Sequence, residues 1–434
     1  MFSLRAAFHT LGCKTNHYET DALRRQFSQA GFKAVPFDSF AEVYLVNTCT
    51  VTGEAGRKSR QMLRRVRKIN PQAVVVALGC HAELAELDCA DIVIGTSGKS
   101  QALDRVCREL QNRGIALPEL PLATTAPGDL ENYEEFGPVD QQTETRAYVK
   151  IEDGCDNFCT YCAIPFARGR VRSRNSGNII AEAAALAAAG YREIILTGIH
   201  VCSYGAEQGR PSHAVMELTR ELAAIDGIER IRLGSLEPQS LSPQFLDLAR
   251  SIPKLLPHFH LSLQSGSDSV LARMNRRYTT DDYREVVRRL RQAYDRPGLT
   301  TDVIVGFPGE TEAEHEASLA FCRDIGFSRL HVFRYSKRAG TAAAGMSGQI
   351  DPQTAARRSH QMMILAEEMA LEFHRSQIGQ PQQVLLEKPR TDGIFEGYSP
   401  QYVPIRTPAQ PGFHEGQIVN VTGIRAEAEF LFCR

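Results

Sequence analysis

The residues best able to do chemistry in this 434-residue chain are its eleven cysteines, and three of them, Cys155, Cys159 and Cys162, fall in the run GCDNFCTYC. The C-x3-C-x2-C spacing sets three thiolates on one short loop, where they can wrap a single soft-metal centre. A structural zinc site takes four protein ligands, and this loop offers no fourth Cys or His. Three ligands on a four-iron cluster instead leave one iron open to a small molecule. The plainer alternatives are unrelated loop cysteines, or zinc borrowing a distant His200. A second set, Cys13, Cys49 and Cys80, is scattered in sequence, yet each lies at or just past the end of an expected strand. In an open parallel sheet those ends share one edge, where ligand sites form. Cys89, Cys107, Cys202, Cys322 and Cys433 lack such a placement and read as small apolar side chains.

The elements that must hold these groups follow from the hydrophobic pattern. Residues 1–114 alternate strand and helix (LRAAFHT, VYLVNT, AVVVALG, DIVIG), which implies an α/β domain with a parallel sheet. Residues 115–145, rich in Pro and acids, read as a linker over the surface. Residues 146–371 repeat the alternation with RAYVKIE, REIILTGIH, ERIRLGS, HFHLSLQ, LTTDVIVGF and RLHVFRY, so six βα units predict an open parallel barrel. Residues 372–434 read as short strands of a small β-barrel.

Lys plus Arg (50) nearly cancels Asp plus Glu (51), which excludes a uniformly basic coat, so a polyanion must be met by a local patch. No apolar leader and no run of about 18 apolar residues is present, so a cytoplasmic chain without a membrane partner is expected. An odd cysteine count in such a chain argues for ligands or thiols rather than a disulfide framework. The parallel barrel predicts its site at the strands' C-terminal ends, where Thr197, Gly198, His200, Ser235, Glu237, Gln264 and Ser265 lie. In FARGRVRSR, Arg168, Arg170, Arg172 and Arg174 alternate, which would put them on one face of an extended segment.

The GCDNFCTYC run resembles the signature of the radical S-adenosylmethionine superfamily, with Tyr161 where that family usually carries an aromatic residue. The segments LGCKTNHYETD, VNTCTVT and LGC-x-AE resemble the N-terminal module of the methylthiotransferases within it, and the likeness extends over nearly the whole chain. The resemblance implies two 4Fe-4S clusters, an auxiliary one on Cys13, Cys49 and Cys80 and a radical-generating one on Cys155, Cys159 and Cys162. It also implies a cofactor, S-adenosylmethionine, contacted by Tyr161, Thr197, Gly198, His200, Ser235, Glu237, Gln264 and Arg174. In such enzymes one cofactor molecule methylates a cluster-borne sulfur and a second yields a radical that abstracts hydrogen from an aromatic carbon.

LGCKTN and GIHVCSYG most resemble the bacterial branch that modifies N6-threonylcarbamoyladenosine beside the tRNA anticodon, at position 37. Branches acting on isopentenyladenosine or on a ribosomal-protein aspartate are the alternatives, and a non-catalytic, zinc-stabilised RNA-binding protein is the alternative of another class. The implied partners are a tRNA anticodon stem-loop and an electron donor of unknown identity. RKSRQMLRRVRK, with Met62, Val66 and Ile69 at helical spacing, predicts an amphipathic helix with a basic outer face for phosphates. The last segment resembles an RNA-binding TRAM domain but is not basic; Arg375, Lys388, Arg390, Arg406 and Arg425 with Phe395, Tyr398 and Tyr402 are its candidate contacts. Anaerobically reconstituted protein is predicted to hold about eight iron atoms. A Cys13/Cys49/Cys80 triple Ala variant should hold about half of them; an unchanged iron content in it would contradict the auxiliary cluster.

Overall fold

The computed structural model describes residues 4–117 and 130–434. In the N-terminal unit β1 (Arg5–Thr10), α1 (Lys14–Gln29), β2 (Lys33–Val35), β3 (Val43–Thr48), α2 (Gly53–Ile69), β4 (Val74–Gly79), α3 (Cys80–Leu84), β5 (Ile92–Ile94) and α4 (Ala102–Asn112) follow in turn. Their five strands form one parallel sheet in the order β2-β1-β3-β4-β5. VYLVNT and VVVALG are buried at every residue, as strands covered by helices on both faces must be. Helix α2 is started by Thr52, whose side chain accepts the Ala55 amide at 3.1 Å.

The central unit runs β6 (Ala147–Lys150), β7 (Glu152–Asp153), α5 (Ile164–Arg168), β8 (Arg172–Ser173), α6 (Ser176–Ala188), β9 (Glu193–Thr197), α7 (Ala214–Ala223), β10 (Arg230–Leu233), β11 (Ser235–Leu236) and α8 (Pro243–Arg250). It continues through β12 (His258–Leu261), α9 (Asp268–Arg273), α10 (Thr280–Ala293), β13 (Gly298–Val305), α11 (Glu312–Ile325), β14 (Arg329–Arg334) and α12 (Pro352–Arg375). The strands run parallel in the orders β10-β9-β6 and β11-β12-β13-β14, with β10 leading directly into β11. The sheet is curved and open, and all six expected strands are in it. Ala147, Val149 and Ile151 join the apolar layer under the helices, so Arg146, Tyr148 and Lys150 lie on the opposite face of β6, where Tyr148 packs on the N-terminal core and Lys150 meets Glu19. Helix α1 of the first unit packs along β6.

The last unit is a closed barrel of β15 (Pro381–Pro389), β16 (Ile394–Tyr398), β17 (Pro404–Pro408), β18 (Ile418–Ala426) and β19 (Leu431–Cys433), ordered β15-β16-β17-β19-β18. Helix α12 reaches Arg375, so a boundary at residue 371 falls inside a helix. The turn after β16 closes the bottom of the large barrel: Arg232 donates to the Ser399 and Pro400 carbonyls at 3.2 and 3.1 Å, and Arg230 to that of Tyr398 at 3.2 Å.

Part of the expected linker, 118–129, lies outside the described residues. The rest, 130–145, has no helix or strand and is anchored to the units on either side. Phe136 and Val139 are buried in the N-terminal core, Asp140 pairs with Arg25 at 2.7 Å, and Glu135 pairs with Arg174 at 3.0 Å. Two apolar side chains amid acids are enough to sink it, each worth about 1.5–3 kcal/mol on burial.

A buried ionic knot joins the first two units. Glu19 on α1 binds Lys99, Lys150 (2.8 Å) and Arg168 (3.0 Å), and Asp153 binds Lys150 (2.7 Å) and Arg168 (2.9 Å). Burial opposes ionisation of Glu19, but Arg168, Lys150 and Lys99 outweigh it and hold its carboxyl well below the usual range. Removing one member of such a set leaves charge buried without a partner. Arg168→Ala is therefore predicted to cost about 3–5 kcal/mol and to speed amide exchange in α1 by about a hundredfold or more. Unchanged exchange there would contradict the knot's role.

Candidate active site

Cys13 caps the start of α1, Cys49 follows β3 and Cys80 opens α3, so adjacent strands β1, β3 and β4 deliver them to one sheet edge. Gly12, at φ +105°, lets the first loop close on the second: a Cβ there would stand 2.8 Å from Cys49 Sγ. Asn16 ties the same loops, its Nδ2 donating to the carbonyls of Leu11 (2.7 Å) and Thr48 (3.1 Å). Arg168 completes the frame from the other unit, donating through Nη2 to Asn16 Oδ1 at 2.7 Å and through Nε to Cys80 Sγ at 3.2 Å. Burial pushes the Cys49 thiol up to about 11, with Cys13 and Cys80 adding to it.

Cys155, Cys159 and Cys162 lie on the loop between β7 and α5. Burial, then mutual repulsion, pushes Cys155 and Cys162 up to about 12. Cys159 Sγ accepts a hydrogen bond from Arg276 Nη1 at 3.3 Å, and Arg276 also binds Glu237. The two triplets are neighbours: α3, which starts at Cys80, packs on α5, and the Cys80 thiolate disfavours that of Cys162. A cavity of about 190 Å³ is lined by Thr50 and Val51 from the first unit and by Tyr161, Cys162, Gln264, Asp302, Phe333 and Arg334 from the barrel.

The donor sets suit iron-sulfur clusters. Cys49, Cys80, Cys155 and Cys162, whose thiols burial pushes up, ionise at neutral pH only against a cationic centre, and three thiolates per group is the set that leaves one iron free. Burial raises the Cys80 thiol above its ordinary value, and the Arg168 and Lys99 charges beside it oppose that rise. Among the described residues no group of three or more His, Cys, Asp or Glu side chains is drawn together as for a metal ion.

The other expected residues divide. Tyr161 and Gln264 line the cavity. Thr197 is buried at the end of β9, and Gly198 is obligatory, because a Cβ would collide with Glu152 Oε1. That carboxylate accepts the His200 amide at 2.6 Å, while its Oε2 and His200 Nε2 are buried without partners. Ser235 is exposed, and Glu237 is occupied by Arg276. Ser265 is a correction: it is buried against Ser318 at 3.1 Å, behind the strand. The arginine series is another, because α5 ends at Arg168 and the alternation breaks. Arg170 is exposed beside Asp156, Arg172 binds the Arg168 carbonyl at 2.6 Å, and Arg174 sits between Glu135 and Glu182 under the Tyr18 and Tyr133 rings, outside the cavity lining.

The C-terminal aromatic patch is a third correction. Phe395 lies in the small barrel's core, and Tyr398 and Tyr402 stack at 4.6 Å beneath Arg146, facing the large barrel. Arg390, Arg406 and Arg425 pair with Asp392, Glu396 and Glu427, whereas Arg375 and Lys388 are exposed. On α2 the buried stripe is Ser59, Leu63 and Val66, with Met62 and Ile69 half-buried, and Lys58, Arg64 and Lys68 form a free basic face. Sequence reasoning missed Asn16, Glu152, Arg276 and Asp302, which no local motif marks. Among the described residues no helix is long and apolar enough to cross a membrane.

Comparison with known proteins agrees with this geometry. Residues 149–322 match the Radical SAM superfamily and residues 5–94 match the uncharacterized protein family UPF0004. The chain is 37% identical over 409 residues to a threonylcarbamoyladenosine tRNA methylthiotransferase MtaB of Bacillus subtilis (strain 168), covering 92% of this chain and 89% of that one. It is 34% identical over 401 residues to the protein of the same name from Thermotoga maritima, with 91% and 89% covered. It is 33% identical over 427 residues to a tRNA-2-methylthio-N(6)-dimethylallyladenosine synthase of Maricaulis maris (strain MCS10), with 94% and 92% covered. The fold is similar to that of the radical S-adenosylmethionine methyltransferase TsrM from Kitasatospora setae, with a TM-score of 0.56 at 15% identity over 79% of this chain and 77% of that one.

Glu152 generates a pH prediction. Burial, then Asp153, pushes its carboxyl from 4.5 up to about 8. The folded chain then holds a proton that the unfolded chain loses earlier, so this group's contribution to stability is full below about 4.5 and falls as pH rises to about 8. Wild type is predicted to lose denaturant resistance relative to Glu152→Gln across that window; parallel pH profiles for the two would contradict it.

Proposed function

The chain belongs to the radical S-adenosylmethionine methylthiotransferase family, and on that premise we propose that it adds a methylthio group to C2 of N6-threonylcarbamoyladenosine at tRNA position 37. The observation that carries this reading is the cavity in which Cys162 faces Thr50 and Val51, the residues just after Cys49. A radical source and a sulfur source must both reach one aromatic carbon, and a chamber lined by Cys162 of one triplet and by the residues that follow Cys49 of the other fits that demand. When bound, the clusters and S-adenosylmethionine supply electron transfer, a carbon radical and methylated sulfur, chemistry that no side chain provides.

The chain's own residues bind, orient and exclude water. Cys155, Cys159 and Cys162 would hold the radical-generating cluster, with Arg276 donating to Cys159. Cys13, Cys49 and Cys80 would hold the auxiliary one, with Arg168 donating to Cys80. Hydrogen bonds to ligating sulfur raise a cluster's reduction potential, so both arginines ease electron entry. The Thr197 to His200 turn, propped by Glu152, offers backbone for close approach of the cofactor's methionine part. Gln264 and Asp302 face the space where the base would lie, and Tyr161 and Phe333 wall it with apolar surface.

The anticodon stem-loop would approach past α2, where Lys58, Arg64 and Lys68 are free to meet phosphates. Domain limits near 114, 146 and 376 accord with this division of labour. An external one-electron donor is required. Nucleosides from cells with and without the gene test the reading by mass spectrometry. The methylthio form of N6-threonylcarbamoyladenosine is expected to disappear without the gene. Loss of the methylthio dimethylallyl nucleoside instead, or of a methylthio-aspartate on a ribosomal protein, would overturn the choice of substrate.

A further inference from the structure

We propose that Arg338 holds the anionic sulfur that the auxiliary site delivers, its free Nε donating a hydrogen bond to a sulfide at the open iron of that cluster. This deepens the reading above and rests on Cys13, Cys49 and Cys80 holding a cluster.

Arg338 belongs to the barrel unit, on the loop that follows β14, yet its side chain serves the other unit. That loop crosses to the residues just past Cys49. Ser336 Oγ accepts the Gly53 amide at 2.9 Å, and Arg338 Nη2 donates to Thr50 Oγ1. Nη1 lies beside the start of α2, where a Cβ on Gly53 would stand 3.9 Å from it. Thr50 has no exposed surface and follows Cys49 directly in the chain. The guanidinium is therefore pressed against the Cys49 loop, between Thr50 and Gly53.

One donor of this fork is left over. Arg338 Nε is buried without a hydrogen-bond partner, and among the described residues the one hydrogen bond of its side chain is the one to Thr50. Arg60 on α2 also lacks an acid among the described residues; its Nη1 meets Nε2 of His81, the residue after Cys80, at 2.9 Å. Glu54, at the start of α2, is held by Arg57 at 2.5 Å. Two cations thus flank the Cys49 and Cys80 loops with no protein anion of their own. A buried donor left unmatched is costly, and a bound anion removes that cost.

The position suits a sulfur on iron. To reach the base, that sulfur must sit where the auxiliary site meets the chamber. Thr50, which Arg338 binds, and Ser336, two residues before it, both line that chamber. Three thiolates leave the fourth iron to take a sulfide, and the added negative charge is what a desolvated guanidinium stabilises best. An RNA phosphate is the competing anion, but a donor closed off from solvent faces a resident group rather than an arriving backbone.

Hydrosulfide is titrated into anaerobically reconstituted full-length protein carrying a Cys155/Cys159/Cys162 triple Ala change, so that only the auxiliary cluster reports, through its reduced-state electron paramagnetic resonance. Hydrosulfide is expected to change the spectrum. Arg338→Gln should weaken that binding about tenfold to a hundredfold, the yield of one charge-assisted hydrogen bond. Arg338→Lys, which keeps the charge, should recover part of the loss, and iron should stay at about four atoms per chain throughout. Unchanged hydrosulfide affinity in Arg338→Gln overturns the proposal. So does iron lost equally from the Gln and Lys variants, which would make the residue a brace for the Cys49 loop. With both triplets intact, a loss confined to binding of the anticodon stem-loop, or of S-adenosylmethionine in equilibrium dialysis, overturns it too, by assigning the guanidinium to a phosphate or a carboxylate. An auxiliary triplet that takes up no iron with Arg338 in place would instead overturn the reading on which the proposal rests.

Discussion

Two acids and three cations with almost no access to water, Glu19, Asp153, Lys99, Lys150 and Arg168, set the geometry on which everything else depends. Buried ion pairs are poor sources of net stability, because desolvation offsets most of their attraction. What they enforce is register: any other docking of the first unit on the barrel would strand charge in the interior. Glu19 and Lys99 belong to the unit whose sheet carries Cys13, Cys49 and Cys80, and Lys150, Asp153 and Arg168 belong to the strands and helix that flank Cys155, Cys159 and Cys162. The knot therefore fixes the two cysteine triplets relative to each other. Its surplus cation is spent on Cys80, so the same residue that aligns the domains touches the sulfur chemistry.

Much of this was legible in the sequence, for a physical reason. Strands buried on both faces read as unbroken apolar runs, and a parallel sheet must send all its strand ends to one edge. Three dispersed cysteines, each following such a run, could accordingly be assigned to one site without any local motif. The C-x3-C-x2-C run needed even less, since its ligands share a loop. Legibility ended where a side chain's role is set by a distant partner. Arg168 and Arg174 look alike in FARGRVRSR, but a helix end separates them, and one reaches Cys80 while the other is enclosed by Glu135 and Glu182. Glu152 and Arg276 sit in unremarkable local sequence and gain meaning only against Gly198 and Cys159.

The small C-terminal barrel shows the same limit. Of its aromatics read from sequence as a stacking surface for bases, Phe395 fills its own core and Tyr398 and Tyr402 close the floor of the large barrel. Tyr402 adopts φ +68° to lie between Arg146, Arg232 and His258. Left-handed backbone at a non-glycine residue is costly and is kept where surrounding contacts demand it. The module is thus part of the chamber's architecture, and its near-neutral composition follows from arginines that pair with their own acids.

The central proposal is that each cysteine triplet holds an iron-sulfur cluster, beside a cavity lined by Cys162 of one and by Thr50 and Val51, which follow Cys49 of the other. Anomalous diffraction at the iron edge from anaerobically grown, reconstituted crystals tests it most directly. The account predicts two separate iron peaks, one bounded by Cys13, Cys49 and Cys80 and the other by Cys155, Cys159 and Cys162, with the cavity lined by Gln264 and Asp302 between them. A single iron peak, or signal at the zinc edge in either triplet, would contradict it.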